Sequence, residues 1–351
     1  MSRRPTMPRT TTLILAAAAL LAAPMTTAAA EPPTYQFTGP VFGLATAPAG
    51  GLVVADAGSG VVVLRKGAGR VLAKLPNVTD AAPIGLSSMW AVTGGGDAGT
   101  DGKLYRISRG RRAVWGDLAA FEARVNPDGG AIDSNPFDVA RLTGGKALVA
   151  DAAANALVIS TAKGRLDWVA TLPDELVSTD WIKGLAGCPE PASEEFAFVC
   201  GLPDAIPAQA VATSIAIGPD GAYYMGELKG FPAPPGMAKV WRIEPGTRHA
   251  ACGSSDRCSV VAEGFTAVVD LAFTPSGKLD VVELDEGGWL PLELGMPGQG
   301  GTVDRCDVHT GTCSVLAGGL NMPIAVAEKR SRTYALVNAL IPGAAQVITL
   351  P

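Results

Sequence analysis

Two stretches of this chain repeat one short phrase. "GLVVADAGSGVVVL" occupies residues 51–64, and "ALVADAAANALVIS" occupies residues 147–160. In each stretch an apolar run ends at an aspartate, small residues follow, and a second apolar run begins, which is the pattern of a β-hairpin. A hairpin that recurs at long intervals indicates a repeat architecture, because each unit buries its apolar face only against a neighbour.

Six copies of a related phrase mark the first strands of six such units. They are "FGLA" at Phe42, "IGLS" at Ile84, "FDVA" at Phe137, "TSIA" at Thr213, "VDLA" at Val269 and "IAVA" at Ile324. In four units a second strand then ends in an acid, and these acids are Asp56, Asp151, Glu227 and Glu283. Third and fourth strands follow, as in "KLYRI" and "RAVWGDL". Four antiparallel strands in each of six units predict an all-β, six-bladed β-propeller.

The two ends of the chain are expected to close the ring. The sixth copy ends at "QVITL" without an outer strand, and "TYQFTG" before the first copy can supply it as an N-terminal strand. The alternative is a two-sheet sandwich, but six copies in phase argue against it. With 43 Gly and 27 Pro, about a fifth of the 351 residues are turn formers, which suits many short strands.

The first thirty residues have the pattern of a secretory signal. Arginines at positions 3, 4 and 9 precede "TLILAAAALLAA", and "TAAAE" offers small residues for cleavage after Ala30. The apolar run is shorter than the roughly 20 residues of a transmembrane helix. We therefore predict a signal peptide over residues 1–30, a single propeller domain over residues 31–351, and a secreted, extracytoplasmic protein without a membrane span.

The six cysteines form three pairs that are close in sequence. The pairs are Cys188 with Cys200, Cys252 with Cys258, and Cys306 with Cys313. In an exported chain this pattern predicts three disulfides, each closing a short loop. A zinc site is the alternative, but no pair has the two-residue ligand spacing and the chain has only two histidines, His249 and His309. We therefore expect no metal bound by the cysteines.

The charge balance disfavours nucleic acid as a partner. Without the three signal arginines, 25 basic residues remain against 33 acidic ones, a net charge of −8. A chain that binds nucleic acid usually carries an excess of basic residues. We expect a monomer whose ligand is a small molecule or an extracellular macromolecule.

The long insertions all fall on one face of the predicted propeller. In a four-stranded blade, the connection into the inner strand and the hairpin between the second and third strands share a face. The insertions at residues 119–134, 174–212, 228–238 and 285–301 all belong to these connections. We call this side the long-loop face and the opposite side the short-turn face. Because function collects on loops held by a rigid frame, the site is expected at the channel mouth on the long-loop face.

Several strings resemble one known family. "NPDGGAIDSNPFDVA", "VATSIAIGPDGAYYMGELKGFPAPPGMAKVWRIEPG" and "VVAEGFTAVVDLAFTPSGKLDVVEL" closely resemble the ScyD/ScyE family, exported bacterial propellers related to NHL-repeat proteins. The resemblance extends from about Phe42 to Leu320. It implies a six-bladed propeller, and it implies no particular chemistry.

This chain lacks the residues that two familiar propeller chemistries require at the expected positions. Gluconolactonase-like propellers place Asn or Asp directly before the Gly of the inner-strand phrase. Here that position holds Phe42, Ile84, Phe137, Thr213, Val269 and Ile324, and five of these six are apolar and cannot bind calcium. Histidine-dependent chemistry is disfavoured as well, because His249 and His309 map to turns on the short-turn face.

The next position of the phrase carries acids. It reads Gly43, Gly85, Asp138, Ser214, Asp270 and Ala325. Two carboxylates and a hydroxyl are thus expected at the channel mouth, where crowded carboxylates would raise one another's pKa or gather a divalent cation. The alternative is that Asp138 and Asp270 accept hydrogen bonds from neighbouring backbone. For Asp56, Asp151, Glu227 and Glu283, which end second strands, turn bonding and hence a structural role is the favoured interpretation.

Three loop aromatics are candidates for the rim of the site. Trp181, Phe231 and Trp289 either line a groove or anchor their own loops. Our hypothesis is a binding or scaffold protein without a cofactor. Its floor residues would be Asp138, Ser214 and Asp270, and its rim would be the three aromatics. The alternative is a hydrolase or lyase that uses a channel carboxylate, with or without a divalent cation.

Overall fold

The computed structural model describes residues 35–66, 68–95, 101–191 and 193–351, so the predicted signal peptide lies outside the described residues. Six antiparallel sheets form the blades of a β-propeller, which confirms the predicted fold class. The first strands of the six sheets contact one another in cyclic order, and the last contacts the first. The ring is therefore closed.

Blades 1 to 3 follow one another along the chain. Blade 1 comprises β1 (Val41–Thr46), β2 (Leu52–Asp56), β3 (Gly60–Arg65) and β4 (Ala68–Ala73). Blade 2 comprises β5 (Val78–Pro83), β6 (Ser88–Thr93), β7 (Lys103–Ser108) and β8 (Arg111–Asp117), and helix α1 (Leu118–Val125) follows it. Blade 3 comprises β9 (Pro136–Leu142), β10 (Lys146–Asp151), β11 (Ala156–Ser160) and β12 (Leu166–Thr171).

A small cap interrupts the ring after blade 3, and three further blades complete it. The cap contains β13 (Glu175–Ser178), α2 (Asp180–Ala186), a 3₁₀ turn (Glu194–Phe196), α3 (Ala197–Cys200) and β14 (Ala205–Ala208). Blade 4 comprises β15 (Ala212–Ile217), β16 (Tyr223–Glu227), β17 (Ala238–Ile243) and, after the short strand β18 (Ala250–Ala251), β19 (Cys258–Phe265). Blade 5 comprises β20 (Val268–Phe273), β21 (Leu279–Glu283), helix α4 (Trp289–Glu293), β22 (Gly301–Asp307) and β23 (Thr312–Leu320). Blade 6 comprises β24 (Ala325–Lys329), β25 (Arg332–Val337) and β26 (Gln346–Thr349).

The burial of each strand follows its place in the blade. Second strands such as β2, β16 and β21 are buried along their whole length, because neighbouring blades cover both faces of the sheet. This explains why they read as continuous apolar runs. Outer strands such as β8 and β23 are largely exposed and more polar.

The N-terminal segment closes the ring by packing. Residues 35–40 form no strand, and blade 6 has three strands among the described residues. Phe37 is buried in one apolar cluster with Ala345 and Leu350 of blade 6. The backbone N–H of Val41 donates to the carbonyl of Ala339 at 2.9 Å. The two ends of the chain thus meet between blades 6 and 1.

The inner strand of blade 2 begins earlier than the sequence phrase suggests. β5 spans Val78–Pro83, whereas Ile84 and Gly85 lie in the turn that leads to β6. Assigning "IGLS" to an inner strand was therefore wrong. The turn contains apolar residues in a pattern typical of a strand. The actual inner strand contains the polar residues Thr79 and Asp80, so its sequence is less typical of a buried strand.

All three predicted disulfides are present. Cys188–Cys200 joins α2 to α3 within the cap, and Cys252–Cys258 and Cys306–Cys313 close hairpins on the short-turn face. Near the second of these bridges, β18 pairs in parallel with β12 and links blade 4 to blade 3. Among the described residues, no helix has both the length and the apolar character needed to span a membrane.

Candidate functional site

A register shift at the start of the inner strand recurs in five blades. It places one residue, which we call the slot residue, opposite the end of the second strand, as in the pairs Asp138 with Ala150 and Asp270 with Val282. The slot residues of blades 1 to 6 are Gly43, Asp80, Asp138, Ser214, Asp270 and Ala325. Blade 2 therefore contributes a third aspartate, Asp80, and not Gly85. The likeness of "VTDAA" in blade 2 to "VVDLA" in blade 5 is the signal that could have found it.

Each slot aspartate ties its own blade to the next one. In every case Oδ2 accepts a hydrogen bond from the backbone N–H of the residue that follows the slot of the next blade. The bonds join Asp80 to Val139 at 3.2 Å, Asp138 to Ile215 at 2.6 Å, and Asp270 to Val326 at 2.7 Å. These are the contacts expected for carboxylates that bond neighbouring backbone, and they satisfy amides at the edges of inner strands.

The same three carboxyls also influence one another's charge. Burial raises the pKa of Asp138 well above its ordinary value, and the negative charges of Asp80 and Asp270 raise it further. Burial likewise raises the pKa of Asp80 and, to a larger extent, that of Asp270. The interaction between these two side chains lowers the pKa of Asp80 and raises that of Asp138. The cluster therefore retains a proton at pH values where exposed aspartates are ionised.

The two small slot residues have different surroundings. A Cβ at Gly43 would overlap Oδ1 of Asp80, so this position must be glycine for reasons of space. Ser214 is fully buried, its Oγ has no hydrogen-bond partner among the described residues, and it lies against Gly226 and Val268 in the seam between blades 4 and 5. The structure thus brings Asp138 and Asp270 together with Asp80, and it places the Ser214 hydroxyl in an apolar seam.

An apolar layer lies on the long-loop side of the slot aspartates. The rings of Phe42 and Phe137, each directly before a slot, meet edge to face with centroids 5.8 Å apart. Blades 1 and 3 are separated by blade 2, so the two rings meet across the channel side of blade 2. Val269 and Ile324 belong to the same cluster, and Leu228 and Trp289 pack against it. We call these residues the plug.

The three rim aromatics do not form a single groove. Trp289 packs in the plug, and its Nε1 donates to the carbonyl of Lys229 at 2.8 Å. Trp181 packs instead in a separate cluster of the cap, around Ile182 and Val199. Phe231 is 37% exposed. Two of the three aromatics therefore anchor loops, and one faces solvent.

A buried ion-pair network holds the cap on blade 4. The Nζ of Lys229, which is only 1% exposed, lies 2.7 Å from Glu175 of the cap and 2.5 Å from Glu227 of β16. Lys239 pairs with Glu175 as well, and Nε1 of Trp241 donates to Glu227. Burial raises the pKa of Glu227 despite Lys229. Burial alone would also raise the pKa of Glu175, but its two lysine partners bring it below the ordinary value.

Asp56, Asp151 and Glu283 end the second strands of their blades. Each accepts hydrogen bonds from the segment that precedes the inner strand of the same blade. Asp56 accepts from the backbone N–H groups of Thr38, Gly39 and Gly58 and from the hydroxyl of Ser59. Asp151 accepts from Ser134, Asn135 and Ala154, and Glu283 from Thr266 and Thr302. Burial raises the pKa of Asp151 to about 6 and that of Glu283 to about 7. We propose a structural role for all four acids.

The described residues contain no group of three or more His, Cys, Asp or Glu side chains arranged to hold a metal ion. Both histidines lie away from the channel. Nε2 of His249 is 2.7 Å from Asp167 on the short-turn face, and the imidazole stacks on Trp168. His309 lies in the β22–β23 turn on the same face.

The long-loop face combines exposed apolar and acidic side chains. Its exposed apolar residues are Val125, Ile132, Leu176, Phe198, Phe231, Leu294 and Met296. Its exposed acids include Asp174, Asp180, Glu190, Glu194, Asp204, Glu286 and Glu293. Leu176 and Phe198, which are 73% and 62% exposed, both belong to the cap. Several exposed apolar side chains on one face are typical of a site that contacts another molecule.

The sequence matches no family model and no curated protein. Similar solved structures include a Bacteroides thetaiotaomicron protein of unknown function, which is 10% identical with a TM-score of 0.55 over 90% of this chain and 70% of that one. A gluconolactonase from Xanthomonas campestris is 13% identical (TM-score 0.56, 90% and 88% covered). The PQQ-bound aldose sugar dehydrogenase from Streptomyces coelicolor is 12% identical (TM-score 0.55, 90% and 95% covered). At these identities the likeness shows the β-propeller fold alone.

Proposed function

We propose that this protein is an extracytoplasmic binding protein that engages a macromolecular partner through its long-loop face. The main support for this proposal is the group of exposed apolar side chains, including Leu176, Phe198 and Phe231, on loops that also carry exposed acids. Charge complementarity points to a partner that presents apolar side chains flanked by basic ones.

The way in which these loops are held supports the proposal. The Cys188–Cys200 bridge closes the cap, and the Lys229 network fixes its first strand to blade 4. Loops ordered before binding lose little conformational entropy when a partner arrives. The apolar side chains are therefore presented by a rigid frame.

The resemblance to the ScyD/ScyE family, from about Phe42 to Leu320, is compatible with such a role, and we propose membership of that family. The three disulfides support a location outside the cytoplasm, where such bonds persist.

A second candidate is a hydrolase or lyase that uses a channel carboxylate. One observation favours it: burial and the charges of Asp80 and Asp270 raise the pKa of Asp138, and a carboxyl of raised pKa is able to act as a general acid. Against it, the plug covers the long-loop side of these groups and both carboxyls hold backbone amides. Asp138, Ser214 and Asp270 as ligand-binding residues stay a prediction.

Defined peptides test the first proposal. Fluorescence anisotropy would compare a labelled basic amphipathic peptide with an acidic one of equal apolar content. We expect the basic peptide to bind more tightly, and Phe198→Ser with Phe231→Ser to weaken it about tenfold or more. Val260→Ser with Val315→Ser, on exposed outer strands, is the control and should leave binding unchanged. Equal binding of both peptides, or equal effects of both variants, would refute the proposal.

A thermal-shift screen tests the second candidate. The folded chain would be melted with divalent cations, lactones, sugars and aromatic metabolites, with EDTA as the control. A stabilisation that Asp138→Asn abolishes, while the variant keeps its melting temperature without ligand, would support a channel site. No shift across the panel would leave the macromolecular partner as the supported function.

A further inference from the structure

Basic residues are concentrated on blades 1 and 2 of this acidic protein. Six arginines line two depressions of about 920 and 640 Å³ on the short-turn side of these blades. They are Arg65, Arg70, Arg106, Arg109, Arg111 and Arg112. The two depressions share Ser87 and Arg109, so together they form one continuous surface, which we call the arginine groove.

The charges of the arginine groove are uncompensated. No acid lines either depression, and none of the six arginines takes part in an ion pair among the described residues. Some arginines elsewhere do have acidic partners, as Arg242 has Asp220 at 2.8 Å and Arg305 has Asp280 at 2.7 Å. Like charges held together repel one another, and a bound anion would relieve this repulsion.

Two of the arginines are oriented by the fold. The guanidinium of Arg106 lies 5.3 Å from the ring centroid of Trp115 and 5.8 Å from that of Trp90. Arg112 donates from Nη1 to the carbonyl of Lys74 at 2.5 Å. A guanidinium is a planar fork of donors that matches phosphate and sulfate oxygens, and its orientation by packing lowers the entropy lost on binding.

The shape of the groove suits a chain-like ligand. The groove runs from the outer strand β8 into the seam between blades 1 and 2, so a strand of polymer would contact arginines along its length. The indole of Trp115 lines one depression and provides an apolar surface for a sugar ring. Leu86 also lines the groove and is 79% exposed, and it is the side chain that a flat bilayer would contact.

We propose that the arginine groove binds an anionic glycan, a linear polysaccharide that carries sulfate or phosphate groups. This site lies on the short-turn side of blades 1 and 2, away from the long loops. It is therefore independent of the proposed partner site on the long-loop face.

Two matched pairs of arginines make the test specific. Arg109 and Arg111 flank the β7–β8 turn in the groove, and Arg330 and Arg332 flank the β24–β25 turn of blade 6 outside it. Arg109 and Arg330 have nearly the same backbone conformation, with φ of 50° and 49°. Changing either pair to glutamine removes the same charge from the same kind of turn.

The experiment measures binding of labelled heparin, a sulfated glycan, with uncharged dextran as the control. We expect heparin to bind and the binding to weaken as salt rises. The dissociation constant should rise about tenfold in Arg109→Gln with Arg111→Gln and less than about twofold in Arg330→Gln with Arg332→Gln. Equal losses in the two variants would show a response to net charge alone and would overturn the proposal, as would the absence of binding.

A vesicle arm separates the glycan from a membrane. Vesicles of phosphatidylglycerol and phosphatidylcholine in equal parts would be tested against the same variants and Leu86→Ser. Vesicle binding that Leu86→Ser abolishes, together with weak heparin binding, would assign the groove to a bilayer and overturn the glycan proposal. The basic peptide should bind the groove variants as it binds the unchanged protein, which confirms that they are folded.

Discussion

Asp138 in the inner strand of blade 3 holds the inner strand of blade 4, because its Oδ2 accepts a 2.6 Å hydrogen bond from the backbone N–H of Ile215. The same bond recurs from Asp80 and from Asp270 to the blades that follow them. The three carboxyls that join blades are thereby brought close enough for the charge of Asp80 to raise the pKa of both Asp138 and Asp270. These hydrogen bonds hold neighbouring blades together, but they also place three carboxyls near one another, which is electrostatically unfavourable.

Two substitutions of Asp138 distinguish the contribution of its hydrogen bond to stability from the contribution of its charge. Asp138→Asn keeps an oxygen for Ile215 and removes a repelling carboxyl, so the free energy of unfolding at about pH 8 should be unchanged or higher. Asp138→Ala leaves the amide of Ile215 without its partner and should cost about 1–3 kcal/mol. Urea unfolding of both variants is the measurement. An equal loss in both would contradict a role in which the hydrogen bond dominates.

Two glycines test the register of blades 1 and 2. Gly43→Ala places a Cβ on the Asp80 carboxyl and should destabilise the protein by about 2 kcal/mol or more, whereas Gly85→Ala meets no atom within 4 Å and should be nearly neutral. Thermal unfolding measures both. Adding Asp80→Ala to Gly43→Ala should recover part of the loss, and no recovery would mean that the two residues do not collide.

Stability is expected to fall as pH rises from about 5 to about 8. The pKa of Asp151 is raised to about 6 and that of Glu283 to about 7, mainly by burial. The folded state therefore holds protons that the unfolded chain has released, and this stabilisation is lost as pH rises through the folded-state pKa values. The melting temperature should be higher at the lower pH, and Glu283→Gln should reduce the difference. A melting temperature that increases with pH over this range would contradict the prediction.

Lys229 is expected to be the most sensitive member of the cap network. Lys229→Met leaves Glu227, which is 1% exposed, without its cation and should cost about 3–5 kcal/mol. Adding Glu227→Gln should restore most of the loss, because the unpaired charge is gone. The control is Lys183→Met, since the partner of Lys183, Asp204, is fully exposed and their pair should contribute less than about 1 kcal/mol. Chemical denaturation measures all three variants.

Glu122 on α1 is buried without a hydrogen-bond partner. It is 2% exposed, neither carboxyl oxygen is bonded among the described residues, and burial raises its pKa to about 7. Glu122→Gln should therefore raise the free energy of unfolding at about pH 8 by roughly 1 kcal/mol or more and change it little at about pH 5. Urea titrations at the two pH values measure the difference. The same effect at both pH values would show that the charge of Glu122 is not the cause.

The blade pattern could be predicted from the sequence because it depends on residues that are close to one another in the chain. The acids at Asp56, Asp151, Glu227 and Glu283 end second strands as expected, and all three cysteine pairs form. Blade 2 was misread because its inner strand carries Thr79 and Asp80, whereas the turn after it carries apolar Ile84 and Leu86. Pattern alone could not decide which of the two short runs pairs with β6.

The relationships that cross blades could not be predicted from the sequence. Phe42 and Phe137 are far apart in the chain, and their rings meet only because the ring curves around a channel. Arg65 and Arg109 likewise share one groove because neighbouring blades bring two turns together. Overall composition concealed this feature, since an excess of acids elsewhere masks a local excess of arginines.

The sequence by itself determined most of the strands, the number of blades and the disulfide pairs, because each depends on side-chain alternation, turn residues or cysteine spacing over a short length of chain. The tertiary structure alone decided that three aspartates come together beneath an apolar plug, that Ser214 turns into a seam, and that six arginines form one groove. Those outcomes depend on distances between residues tens of positions apart, and the closure of the ring sets these distances.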